Sequence, residues 1–330
     1  MRVQADDWTP TAGRWPQLTV TGGSAARSEL GRFDFAGDAT AQPPALATEL
    51  PWLGGDLAAE GWRAGAPVRY GSDGEAGWVA DDHLLMLSWA RACGPETDPA
   101  PPAEAAYRQV LQHARDLGYP HLLRAWHVVP AINQGSGDAE RYRRFCLGRA
   151  LGLEREGIDE DQLCAASAVG SAGRHLFVHC LAGRNPGTPL ENPRQVAAYR
   201  YPRQYGPRSP SFARALAIPM RGGEQGLFVS GTASIVGHAT RHPHDTPAQL
   251  EETLLNLHAL LGEAAQRLGR PGLARFGPAS ALRVYVRDPA EWPRVEARLR
   301  REWPDARLLG VQADICRAEL TLEIEAFQRG

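Results

Sequence analysis

The closing segment Glu319-Leu320-Thr321-Leu322-Glu323-Ile324-Glu325-Ala326-Phe327 sets carboxylates two residues apart in an alternating apolar run. Alternation of this kind is the period of a strand, with Leu320, Leu322 and Ile324 on one face and Thr321, Glu323 and Glu325 on the other. On a solvent face the glutamates are ordinary surface charges. Against an interdomain cleft, one of them would lose hydration, keep its proton near neutral pH and act as a general acid. A second set is basic and phenolic. Tyr142 and Arg149 fall two turns apart on a predicted helix and share a face, while Tyr205, Arg208 and Arg214 flank the start of the last third. Singly these are surface or packing residues. Together they suit a small dianion, because guanidinium forks pair with carboxylates and phenol hydroxyls add oriented donors.

Three smaller features complete the inventory. Ser230-Gly231-Thr232-Ala233 ends an apolar run with small residues that let a ligand approach the backbone. Cys316 precedes the closing strand and reads as a small buried hydrophobe; with no histidine beside it, no thiol nucleophile is assigned. His238, His242, His244 and Asp245 are zinc-type residues, but Pro243 and Arg241 interrupt them and the segment has no regular register. The reading is a structural or gating loop, and no metal is expected.

Composition narrows the class. The 330 residues exceed one ordinary core, and 43% hydrophobic with 22% charged residues describes a soluble, cytoplasmic globular protein. A net charge of −2 argues against nucleic acid as a partner, which would need a basic face. No lysine occurs, so all 36 side-chain cations other than histidine are arginine, with planar, fork-shaped donors. Five scattered cysteines without a C-x-x-C pair read as reduced thiols. The start of the chain, with Asp6, Asp7 and Pro10, carries no signal pattern, and no apolar run is long enough to span a membrane. Walker A, G-x-G-x-x-G after a strand and G-x-S-x-G are all missing, so nucleotide cofactors and serine-hydrolase chemistry are unsupported.

These residues need elements to hold them. Residues 1–74 read as short strands and turns. Beyond them come a strand at 84–89, a helix at 101–117, a strand at 122–129, and a helix at 138–151 with Asp138 as N-cap. Strands at 164–169 and 175–181 are placed to pair as a hairpin, and recurring prolines make 185–210 irregular. The last third reads as strands 211–219 and 226–236, helix 246–268, strand 281–287, helix 289–303, and strands 306–315 and 319–327. That ββαβαββ order has a weaker echo in the middle of the chain, which points to an internal duplication and to domains at 1–210 and 211–330. The predicted class is α/β (α+β), with mixed sheets packed against helices.

Several segments together resemble the chorismatase family. They are Ser230 to His238 (SGTASIVGH), with Gln249, Thr253 and Asn256 on the helix that follows, Pro130 to Asn133, Glu140 to Arg149, Tyr201 to Ala215, and Glu323 to Ala326. The last third is also similar to the RidA/YjgF pattern. The resemblance runs from about Trp78 to the end. It implies two RidA/YjgF-like (chorismate-mutase-like) domains with the active site between them, chorismate as substrate, and no metal or organic cofactor. Two fused domains also supply their own interface, which is compatible with a monomer. The family's essential glutamate falls at Glu323, which would protonate the enolpyruvyl methylene and release pyruvate. The dianion would meet Tyr142, Arg149, Tyr205 and Arg214. An alanine after SGT and a cysteine before the closing strand mark the 3-hydroxybenzoate synthases, some of which also release 4-hydroxybenzoate; Ala233 and Cys316 stand at those positions. Smaller residues there mark the hydrolases, which yield a dihydroxycyclohexadiene acid. Arg307 falls where RidA-type imine deaminases hold a carboxylate, so that chemistry is an alternative, as is ligand binding without turnover.

Overall fold

The computed structural model describes residues 18–21, 28–35, 45–73 and 75–330; the stretch with Asp6, Asp7 and Pro10 lies outside them. Five short strands come first: β1 (Leu18–Thr21), β2 (Glu29–Asp34), β3 (Ala45–Leu46), β4 (Trp52–Gly55) and β5 (Ala59–Ala64). The middle of the chain forms β6 (Arg69–Asp73), β7 (Ala76–Ala80), β8 (Leu84–Ala92), α1 (Ala100–Asp116), β9 (His121–Pro130), α2 (Arg141–Arg155), β10 (Ala165–Ser171) and β11 (His175–Gly183). The remainder begins with β12 (Thr188–Leu190), β13 (Ala215–Pro219), β14 (Gln225–Thr232), β15 (Ile235–Val236) and β16 (Ala239–Thr240). It closes with α3 (Thr246–Leu268), β17 (Ser280–Val286), α4 (Trp292–Glu302), β18 (Arg307–Gln312) and β19 (Leu322–Arg329).

Two large mixed sheets run β10-β9-β11-β8-β7-β6 and β12-β13-β14-β19-β17-β18-β4. Each is built on one ββαβαββ plan. In both, the fourth strand lies parallel to the third (β10 on β9, β18 on β17), and the fifth inserts antiparallel between the third and second. Helices cover one face of each sheet. Tyr107, Val110, Phe145 and Leu153 of α1 and α2 pack on the first. On the second lie Leu250, Leu254, Leu257 and Leu261 of α3, the stripe expected from their spacing, with Val295 and Leu299 of α4. A small sheet, β1-β5-β2-β3, shares a third core with residues of both large sheets, including Trp62, Trp126, Phe228 and Phe327. Among the described residues no helix is long and apolar enough to cross a membrane.

Two expectations fail. Strands β10 and β11 do not form a hairpin, because β9 lies between them. The run from Leu122 to Pro130 is buried throughout, and a strand buried on both faces takes a central place with a neighbour on each edge. The short connection is held instead by Glu49, whose carboxylate accepts from the Arg174 and His175 amides at 3.0 and 3.3 Å. Asp138 does not cap α2 either. It belongs to a 3-10 turn at Gly137–Ala139 and pairs with the Arg203 fork at 2.8 and 2.5 Å, leaving α2 to begin after Glu140 without a side-chain cap.

Strand β10 is an edge of the first sheet, and the second half covers it. The Ala166 amide donates to Ser230 Oγ (2.9 Å), the Gly231 amide donates to Ser167 Oγ (3.0 Å), and Gly170 exchanges backbone hydrogen bonds with Asp314 at 2.7 and 3.1 Å. That seam positions the site.

Candidate active site

A cavity of about 460 Å³ opens at the seam. Helix α2 supplies Tyr142, Cys146 and Arg149, β10 supplies Ser167, and the β13 approach brings Phe212 and Arg214. From the second half come Gly231, Ala233, Cys316 and Glu323. All seven residues named from the sequence as a site (Tyr142, Arg149, Tyr205, Arg214, Ala233, Cys316 and Glu323) therefore border one cavity. Arg208 does not join them; it pairs with Glu154 on α2.

The approach of Glu323 depends on an irregularity in β14. Val229 faces Ala326 and Thr232 faces Ile324, so Ser230 and Gly231 together oppose Glu325. This bulge re-aims the strand, and the Glu323 carboxyl lies directly against Gly231. A Cβ at position 231 would come within 1.9 Å of Glu323 Oε1, which only glycine avoids.

The two glutamates are treated differently. Glu325 accepts from Arg124 Nη2 (2.6 Å), Trp126 Nε1 (2.9 Å) and the Tyr285 hydroxyl (3.1 Å), and Arg283 Nη1 lies 3.3 Å from its other oxygen. Burial pushes its carboxyl up, but Arg124 and Arg283 outweigh burial and hold it below the usual range. Glu323 is only 4% exposed, and among the described residues none donates a hydrogen bond to its carboxyl. Burial first, then the ionised Glu325, raise it from 4.5 to about 8 against the opposing pull of Arg124 and Arg214. At neutral pH Glu323 is thus a carboxylic acid facing a cavity.

The cations facing it are underused. Arg149 and Arg214 are 4% and 3% exposed, and the Nε of each is buried without a partner. Arg149 stands over the Tyr107 ring, and Arg214 Nη2 donates to the Tyr201 hydroxyl (2.7 Å) and the Val196 carbonyl (2.9 Å). Among the described residues neither guanidinium forms a direct ion pair, although Glu191 lies near Arg214, so an anionic ligand could engage both. Burial keeps the Tyr142 phenol and the Cys316 thiol protonated. Tyr205 hydrogen-bonds His238 Nδ1 at 3.1 Å and lies beneath Arg317, 4.1 Å from its ring centroid. The histidines diverge: His238 meets Tyr205, whereas His242 pairs with Glu252 at 3.3 Å.

Sequence reading missed the residues behind Glu323. Ser167 Oγ accepts from Arg124 (2.6 Å) and from Gly231, joining the two halves at the cavity wall. Arg317, which the sequence places beside Cys316, also borders the cavity.

Linkage gives a first expected result. A carboxyl raised from 4.5 to about 8 on folding stabilises the fold fully only below 4.5, and that contribution is lost as pH rises through 8. Glu323→Gln, which cannot ionise, should therefore gain stability over the parent between about pH 5 and about pH 9, on the order of a few kcal/mol. Urea melts of both proteins across that range test it; parallel curves would contradict the raised carboxyl.

The family profile described as "Chorismatase FkbO/Hyg5-like, N-terminal" matches residues 60–182. The chain is 37% identical over 278 residues to a chorismatase of Streptomyces rapamycinicus, covering 81% of each chain. Over 232 residues, 67% of each chain, it is 38% identical to a 3-hydroxybenzoate synthase of Streptomyces hygroscopicus. A chorismatase crystal structure at 1.08 Å aligns with a TM-score of 0.80 and 31% identity, covering 95% of this chain and 98% of the other.

Proposed function

The chain belongs to the chorismatase family, and from that premise we propose that it converts chorismate into 3-hydroxybenzoate and pyruvate. One observation carries the reading: a protonated Glu323 without a hydrogen-bond donor faces a cavity bordered by two buried arginines, each with an unpartnered Nε. Arg149 and Arg214, with Tyr142 and Tyr205, receive the two carboxylates. Glu323 transfers its proton to the terminal methylene of the enolpyruvyl ether, leaving an oxocarbenium at the adjacent carbon. The ring carbon–oxygen bond then breaks and its electrons complete the pyruvate carbonyl.

The fate of the ring depends on what reaches the vacated carbon. Ala233 and Cys316 border the cavity on the Glu323 side, and their methyl and thiol groups occupy volume that an attacking water would need. The neighbouring ring hydroxyl closes on that carbon instead, as an arene oxide, and gives up its proton to the Glu323 carboxylate. Opening and loss of the ring hydrogen aromatise the product. Every atom of chorismate ends in 3-hydroxybenzoate or pyruvate, with no water consumed. The imine-deaminase reading has less support: Arg307 donates to the Val20 carbonyl (2.6 Å), facing the small sheet, and does not border the cavity.

Incubation with chorismate, followed by separation of products, should give pyruvate and 3-hydroxybenzoate in equal amounts. Ala233→Gly combined with Cys316→Ala should divert most turnover to the dihydroxycyclohexadiene acid, with water-derived oxygen in the diol. A diol from the parent protein would overturn the product assignment while keeping the family chemistry. Unchanged products from the double variant would remove the role given to Ala233 and Cys316.

A further inference from the structure

Behind Glu323 lies a row of charges that proton transfer itself does not use. Glu60 of the small sheet holds Arg283 through two hydrogen bonds, at 3.1 and 2.8 Å. Arg283 reaches the Tyr285 hydroxyl (3.1 Å) and Glu325, and Glu325 reaches Arg124, which ends on Ser167 at the cavity wall. Glu60, Arg124, Arg283 and Glu325 are each under 5% exposed. Three sheets thus contribute to one buried chain of alternating sign. Replacement of buried ion pairs by apolar residues is often neutral or stabilising, so their presence here needs a reason other than stability.

The placement supplies one. Glu325 is two residues from Glu323 on the same face of β19, yet it does not border the cavity, and both its oxygens are occupied by donors. It therefore has no means of giving a proton to a ligand. We propose that Glu325 is a positioning residue: pinned as a carboxylate by Arg124, Arg283, Trp126 and Tyr285, it keeps the proton on Glu323 between turnovers. The inference rests on Glu323 being the proton donor. Other groups facing Glu323 are Arg124 from β9, Arg214 from the segment just before β13, Tyr142 from α2 and Cys316 from the loop before β19. The two arginines favour the ionised form, while Tyr142 and Cys316 are neutral. Glu325 is the one charge in this group that opposes ionisation, alongside burial. After each transfer it also favours return of the proton from the ring hydroxyl.

The test is the pH profile of pyruvate release from chorismate. In the parent protein, kcat/KM falls on the alkaline side as Glu323 ionises. Glu325→Gln should move that limb to lower pH by roughly one unit, because the like charge is gone. Tyr285→Phe, which takes one donor from Glu325 and leaves its charge, should leave the limb in place. An unmoved limb in a folded Glu325→Gln protein, with only its stability or kcat lowered, would reduce Glu325 to a structural role. If Glu325→Gln does not fold, Glu325→Asp keeps the charge but withdraws it by one methylene; a limb shifted down by a smaller amount supports the proposal and an unmoved one overturns it. Glu323→Gln separates the two claims: retained turnover refutes the proton donor itself, whereas lost turnover with an unmoved Glu325→Gln limb refutes only the positioning role.

Discussion

Glu323→Gln should lower pyruvate release from chorismate by about 10²–10⁴-fold in kcat with little change in KM. The amide matches the protonated carboxyl in shape and charge, so the buried seat against Gly231 and the neighbouring Arg124 and Arg214 are undisturbed near pH 7. What it lacks is a proton acidic enough to add to carbon. Chorismate binding should survive because Arg149 and Arg214, the groups proposed to hold it, come from other parts of the chain. Titration of the variant with chorismate, followed by intrinsic fluorescence, separates binding from turnover. A variant retaining more than about a tenth of parental kcat would show that the proton comes from elsewhere.

Gly231→Ala should be nearly as damaging, although it replaces no ionisable group. The added methyl would meet Glu323 Oε1 at 1.9 Å and Cδ at 2.5 Å. Either the carboxyl swings into the cavity, where it meets arginines and ionises, or the bulge shifts and breaks the Gly231–Ser167 hydrogen bond. The first route removes the acid; the second opens the seam. A loss of about 10²-fold or more in kcat is expected, with about 1–3 kcal/mol of destabilisation from the overpacked contact. Because both changes act through one side chain, Gly231→Ala combined with Glu323→Gln should be far from additive in activity. Additive effects, or parental kcat in the single variant, would mean that Glu323 does not work from this position.

Local chemistry explains what could be read ahead of the structure. Helix α3 has the bounds expected from sequence because its ends are self-contained: Asp245 accepts from the Ala248 amide at 3.1 Å, and Gly269 closes the helix at φ 63°. The two-turn spacing of Tyr142 and Arg149 likewise carried through to one cavity wall. Pairing between distant segments was not legible. Nothing within residues 164–181 tells that β9 separates the two strands, since that depends on burial of a run dozens of residues earlier. The distinction between Glu323 and Glu325 was equally hidden. Both occupy the same face of one strand, and their chemistry diverges only through Arg124, 201 residues away from Glu325, and Arg283 across the sheet. Resemblance favoured Glu323; the physical reason lies in those long-range partners.

The placement of β4 and Glu60 bears on how the chain is made. Asp56, just after β4, accepts from the Leu308 amide 252 residues later, and Glu60 awaits Arg283, 223 residues downstream. At about 5–20 residues per second, a growing chain leaves these segments without those downstream partners for roughly 10–50 s. During that interval the β4 edge and the Glu60 carboxylate are held in water, and the first large sheet can fold ahead of them. Arg283 of β17 neutralises Glu60, and the strands that follow it, β18 and β19, close the β4 edge and bring Glu323 to the cavity. The cavity is therefore incomplete until β19 has been made, and a chain truncated before that strand carries Arg149 and Arg214 without Glu323.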